Sequence, residues 1–183
     1  MFLLILGLIL WPGAHYFKRL APARREKLGE PGKGLVTVLI FVSLAAMIFG
    51  YRWAEFIPVW SPPAFMTHIN NLLMLLAFYI YMSTAALPSK VWIASKIRHP
   101  QLTGFKVWAI AHLLVNGDLA SIVLFGGLLA WAVGSVILIN RGGDTFDRSR
   151  APIKSELSFL GAALTAFAVV ALIHSLLLWP FPS

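Results

Sequence analysis

Residues 98–118 read Arg-His-Pro-Gln-Leu-Thr-Gly-Phe-Lys-Val-Trp-Ala-Ile-Ala-His-Leu-Leu-Val-Asn-Gly-Asp. Pro100 suits the first turn of a helix, where its missing N–H is no loss. The apolar run that follows, residues 101–115, gives about 22 Å of helix at 1.5 Å per residue, slightly short of a bilayer crossing. Asn116-Gly117 is a turn signal, and Asp118 is a good N-cap for a second apolar helix over 119–139. His112 lies among Trp108, Ala109, Ile110, Ala111, Leu113 and Leu114. A neutral imidazole in such surroundings is costly unless something uses its nitrogens.

The whole chain shares the apolar character of this stretch. Of its 183 residues, 59% are hydrophobic and 12% charged, with mean hydropathy +0.81. Soluble domains carry about 25% charged residues, twice this share. Residues 1–17, 34–51, 56–89, 119–140 and 157–183 contain no Asp, Glu, Lys or Arg. Such runs match the length of membrane spans and leave little room for a soluble domain. The chain reads as a single all-α membrane domain over residues 1–183, a polytopic bundle of about six helices.

The net charge of +8 raises the question of nucleic acid, and its distribution answers it. Segments 18–33, 90–106 and 141–156 hold 14 of the 15 Lys and Arg, all beside apolar runs. Basic residues in that position mark the cytoplasmic side and the anionic lipid surface. The expected partner is the lipid bilayer, not nucleic acid. The first apolar run lacks a basic leader and a cleavage site, so it reads as a retained span with its N-terminus outside.

The expected order follows from the charges. Span one, 1–18, is interrupted at Trp11-Pro12-Gly13, and a basic turn at 19–33 leads to span two, 34–54. An outer loop, 56–63, contains Trp60, Pro62 and Pro63, and span three, 64–87, ends at Pro88. Residues 89–99 form an amphipathic segment at the cytoplasmic interface. Because 89–99 and 141–154 are both net basic, the fourth and fifth helices must form an in-and-out hairpin. The last span, 155–179, closes with Trp179-Pro180-Phe181-Pro182.

The chemistry rests on histidine. There is no Cys, which excludes disulfides, thiolate metal sites and covalent haem attachment. No G-x-S-x-G, H-E-x-x-H, P-loop or dinucleotide fingerprint occurs, so hydrolase, ATPase and nicotinamide chemistry lack support. Four of five histidines, His15, His68, His112 and His174, fall in or beside spans. Imidazoles in a bundle ligate haem or metal, relay protons, or tie helices together. Topology pairs His15 with His112, and His68 with His174 on the outer side. The first is the better ligand pair, since Ala109 and Ala111 leave room for a flat macrocycle. His99 sits at the interface beside Arg98, where the pair suits lipid head groups or the propionates of a haem. Asp118 caps a helix or orients an imidazole from behind.

Arg98-His99-Pro100-Gln101-Leu102-x-Gly104, with Lys106-x-Trp108-Ala109-x-Ala111-His112-Leu113-Leu114-x-Asn116-Gly117-Asp118-Leu119-Ala120-Ser121, closely resembles the NnrU family of bacterial membrane proteins. Phe125-Gly126-Gly127 and the opening Gly13-x-His15 fit too, so the resemblance covers essentially the whole chain. It implies a link to denitrification and nitric oxide metabolism. That family is similar to 15-cis-zeta-carotene isomerase, a membrane enzyme with b-type haem. The resemblance implies His15 and His112 as axial ligands of a noncovalent haem b. The isomerase is associated with a Cys one turn before the second histidine, where this chain has Ala109, so a thiolate-dependent mechanism does not carry over. A shorter likeness, over the hairpin alone, is to membrane methyltransferases of the isoprenylcysteine type.

Three functions are therefore weighed. The first is a haem protein of nitrogen-oxide or redox metabolism, with a lipophilic or gaseous ligand. The second is a haem-dependent isomerase of a lipophilic polyene. The third is a non-enzymatic assembly or transport factor whose histidines merely join helices. Enzymatic activity stays open among them, as does homo-oligomerisation. Cofactor contacts are expected at His15, His112, Arg98 and His99, with His68, His174, Asn116 and Asp118 in supporting positions.

Overall fold

The computed structural model describes residues 1–83, 91–143 and 153–177. Among them are six long helices and two short ones. They are α1 (Phe2–Leu20), α2 (Pro22–Lys27), α3 (Gly29–Arg52), α4 (Met66–Met82), α5 (Trp92–Lys96), α6 (Pro100–Val115), α7 (Leu119–Arg141) and α8 (Ile153–Leu177). The six long helices match the expected bundle. The expected stops at Pro88 and at Trp179-Pro180-Phe181-Pro182 lie outside the described residues.

Among the described residues, three helices are long and apolar enough to cross a membrane: Gly29–Arg52, Leu119–Arg141 and the Glu156–Leu176 part of α8. α4 is a shorter apolar helix. Large side chains such as Phe41, Leu72, Leu157 and Leu176 point outward. The buried positions are mostly small: Ala14, Ala77, Ala109, Ala111, Ala120, Ala132 and Ala163. This is the membrane pattern, where lipid takes the large apolar groups and small residues let backbones approach.

Two details differ from the sequence expectation. The basic turn at 19–33 contains the helix α2, and α3 begins at Gly29 rather than near residue 34. Gly29 has φ of 53°, which frees the chain to leave α2 and re-enter a helix at once. Pro12 lies inside α1, which continues to Leu20 beyond it.

The chain forms two compact units. The first comprises Met1–Pro63 and His112–Gly142. Within it, α1 and α3 pack antiparallel, with Gly7 against Ser43 and Met47 and Gly50 against the backbone of Leu3 and Leu4. α7 runs parallel to α1: Gly127 faces Leu8, and Gly134 faces the Tyr16 hydroxyl. α1 and α7 thus run one way and α3 the other.

The second unit comprises Ala64–Ala111 and Gly143–Ser183. There α4 packs on α8, with the rings of Phe78 and Phe167 at 6.2 Å. Gly104 of α6 lies against the backbone of Ala77 and Tyr81. Val91 and Phe159 are buried together, with Tyr79 and Ile93 around them.

Candidate functional site

The seat of His15 is built from the first and seventh helices. One turn of helix brings His15 back over Trp11, and their ring centroids are 4.3 Å apart. Trp131 of α7 closes the other side, with its centroid 4.9 Å from His15 and 5.4 Å from Trp11. The Tyr16 hydroxyl donates to the Trp131 carbonyl at 2.5 Å, and Ser135 Oγ donates to the same oxygen at 2.9 Å. Gly134 makes room for that hydroxyl, because a Cβ there would stand 2.5 Å from it.

His15 Nδ1 lies 2.8 Å from the carbonyl oxygen of Trp11. A carbonyl can only accept, so Nδ1 carries the hydrogen. In the neutral ring, Nε2 is then left with its lone pair. Metal-binding histidines are commonly oriented in this way, by a bond from the nitrogen that does not ligate. Trp11 adds a buried indole N–H with no hydrogen-bond partner among the described residues.

His112 closes the last turn of α6 and stacks flat on Phe125 of α7, with centroids 4.4 Å apart and planes 4° from parallel. Asn116 Nδ2 donates to the His112 carbonyl at 2.8 Å and lies 3.5 Å from the ring Nδ1. That second contact is long. It places Nδ1 on the accepting side, which leaves the hydrogen of a neutral ring on Nε2.

The residues fit a haem unevenly. His15 offers a lone pair at Nε2 with its other nitrogen already held. His112 offers Nε2 only by giving up the long contact to Asn116. Both rings lean on α7, but Phe125 and Trp131 are six residues apart, about 9 Å along the axis. One iron between the two imidazoles therefore requires the side chains to reach toward each other along α7. Among the described residues, no three His, Cys, Asp or Glu side chains gather as for a bare metal ion.

Asp118 performs its capping role. Its Oδ1 accepts the Ser121 N–H at 2.9 Å, its Oδ2 accepts the Ser121 hydroxyl at 2.5 Å, and the Ser121 Oγ lies 2.8 Å from the Tyr51 hydroxyl. Asp118 is only 4% exposed and Ser121 is fully buried. A carboxylate so placed needs these donors. The outer loop straps the same turn: Val59 and Trp60 N–H both donate to the Gly117 carbonyl, and Leu119 N–H donates to Ile57.

The remaining expected residues belong to the second unit. His99 precedes α6 and its carbonyl accepts the Thr103 N–H at 2.8 Å; Arg98 beside it is exposed. His68 and His174 are both exposed, on α4 and α8. Four neighbours were given no role by the sequence reading: Trp131 and Tyr51, and Phe125 and Ser121, which it quoted only as part of the family motif. Only Ser121 carried a local signal, three residues after an N-cap Asp. The others arrive through tertiary packing from 70 residues away or more, or, for Phe125, across a turn.

The family model described as NnrU protein matches residues 3–180, nearly the whole chain. The chain belongs to the NnrU family. No curated protein and no solved structure matches it. In this NnrU protein the two histidines of the Gly13-x-His15 and Trp108–His112 motifs thus lie in one compact unit, each against an aromatic residue of α7.

Proposed function

We propose that this NnrU-family protein is a b-type haem protein of the bacterial inner membrane, with its N-terminus outside, in which His15 and His112 would hold the iron. Its role lies in nitrogen-oxide or redox metabolism, as the family resemblance implies. The observation that carries the reading is the bond from His15 Nδ1 to the Trp11 carbonyl, which leaves Nε2 as the ligating nitrogen inside an aromatic enclosure. Haem held there supplies electron exchange and binding of small gaseous molecules. The protein's part is to orient the imidazoles and to pack Trp11, Trp131 and Phe125 against them.

The test is the visible spectrum of the detergent-purified protein, oxidised and then dithionite-reduced. A Soret band with sharp reduced α and β bands, lost in His15→Ala, is the expected result. A colourless protein that takes up no added hemin overturns the proposal.

A second reading has its own observation. The contacts of His112 described above, the Phe125 stack and the Asn116 turn, also suffice to explain it as a joint between α6 and α7. On that reading the chain is an assembly or transport factor, and His112→Ala lowers stability without touching any absorbance band. Polyene isomerisation has no such separate observation here, and Ala109 stands where the isomerase has its Cys.

A further inference from the structure

Beyond α3 the chain runs through residues 54–63 in no helix, yet it is fastened. Val59 and Trp60 N–H donate to the Gly117 carbonyl at 2.8 and 3.1 Å, and Leu119 N–H donates to the Ile57 carbonyl at 2.9 Å. Pro58 and Asp118 pair as an isolated antiparallel bridge. All of these residues belong to the first unit. The segment carries five large apolar side chains, Trp53, Phe56, Ile57, Val59 and Trp60. Each is exposed, from 38% at Trp60 to 72% at Trp53. The backbone bonds to the start of α7 fix the segment, so these side chains stay displayed.

The level of this strap follows from the helices it joins. α3 ends at Arg52 and α7 begins at Leu119, and both are long and apolar enough to cross a membrane. The start of α1 lies at the same end, with Leu3 and Leu4 against Gly50. Two physical limits then bracket the strap. Five exposed large apolar groups within eight residues are too many for open water, where such patches mark an interaction surface. An irregular backbone does not lie against lipid in the hydrocarbon core, because its polar groups would go unsatisfied there. Between the two lies the head-group layer, which favours Trp because its ring is apolar and its indole N–H is polar. The surface is continuous with the outward side of α3, where half-exposed Phe49 has its ring 5.3 Å from that of Trp53. Charge points the same way. Within residues 52–60 the only charged side chains are Arg52 and Glu55, which cancel, so nothing steers a charged protein here.

We propose that residues 53–60 form a fixed interfacial strap whose occupant is the head-group layer of the bilayer. Its five exposed apolar side chains enter that layer, and the bonds to Gly117 and Leu119 hold them at its depth. The strap thereby anchors the Gly117-Asp118 turn at the membrane surface. The inference is independent of the haem reading and of which side of the membrane this end faces.

The chain has no Cys, so one introduced Cys carries a nitroxide spin label at a single known place. The test uses the full-length chain in phosphatidylcholine vesicles. It compares relaxation of the label by oxygen, which concentrates in the bilayer, with relaxation by a water-soluble nickel chelate. The ratio of the two cancels crowding around the label and reads its depth. Val59→Cys is the probe, because the bond from residue 59 to Gly117 is made by backbone and survives the substitution. Phe41→Cys, exposed in the interior of α3, sets the hydrocarbon reference, and the free label in buffer sets the aqueous one. The ratio at residue 59 is expected to fall between the two. Phe56→Cys gives the same reading should Val59→Cys fail to fold. A ratio equal to that in buffer places the strap in water and overturns the proposal, and so does a ratio equal to that at residue 41. Shielding from both reagents means that protein covers the strap, a second copy or another chain, and overturns it too. A water-like ratio at Phe41→Cys removes the span itself from the bilayer, and the proposal falls with it.

Discussion

His15 donates from Nδ1 to the carbonyl of Trp11 at 2.8 Å, four residues back on the same helix. The ring is thereby fixed by backbone, not by a side chain that a point substitution removes. Its orientation survives changes at Trp11 as long as α1 stays helical.

This gives the first prediction. His15→Ala removes the Soret band altogether, whereas Trp11→Phe keeps a band, because the carbonyl remains and only the indole packing changes. His112→Ala keeps a Soret band that is weaker and shifted toward a high-spin form, since the better-prepared ligand is His15. Spectra of the three variants, recorded at equal protein concentration after adding hemin, check the order. A wild-type-like spectrum in His15→Ala sinks it.

The cap at Asp118 supports a second prediction. Asp118→Ala removes the acceptor of both the Ser121 N–H and the Ser121 hydroxyl, and costs about 1–2 kcal/mol on the scale of lost N-caps. Asp118→Asn keeps one oxygen for the backbone N–H and costs less. Thermal unfolding in detergent checks the ranking Asn above Ala. The Soret band expected of the proposed haem is unaffected in both, because Asp118 holds Ser121 and not an imidazole.

How much of this was legible beforehand depends on range. The helices, the turn at Asn116-Gly117-Asp118 and the cap were readable, because apolar run length and cap chemistry are local. So was the family motif around His15 and His112. The enclosure of His15 was not, since Trp131 lies 116 residues away and nothing local ties it to Trp11. The strap of residues 57–60 over Gly117 was equally hidden: its bonds are backbone to backbone, and backbone groups look alike at every position. Helix α2 was read as a turn because six residues rich in Arg and Lys carry no apolar period.

Gly117 yields a third prediction. A Cβ built there runs into the Trp60 carbonyl, while Val59 and Trp60 donate to the Gly117 oxygen at 2.8 and 3.1 Å. Backbone cannot yield as a side-chain tip does, so Gly117→Ala costs on the order of 1–3 kcal/mol, as overpacking does. Gly126→Ala is the control, because nothing stands within 4 Å of its built Cβ. Unfolding midpoints of the two variants should separate; equal midpoints mean the strap is not held as described.

Glu156 supplies the last prediction, in the second unit. Its carboxylate takes the first N–H of α5, at Trp92, and the Tyr79 hydroxyl at 2.8 Å. Neither Tyr79 nor a short helix of five residues replaces that acceptor from within its own segment, since the orphan N–H groups of a helix start need an outside partner. Glu156→Ala therefore frees the start of α5, and amide exchange at residues 92–95 accelerates at least tenfold, about 1.4 kcal/mol of lost protection. Glu156→Gln keeps a carbonyl oxygen for one of the two donors and shows a smaller acceleration, and Tyr79→Phe a smaller one still, because the backbone bond is untouched. Exchange in α3, in the other unit, stays at the wild-type rate in all three. Uniform acceleration across both units would show that Glu156 supports the whole fold and not the start of α5 alone.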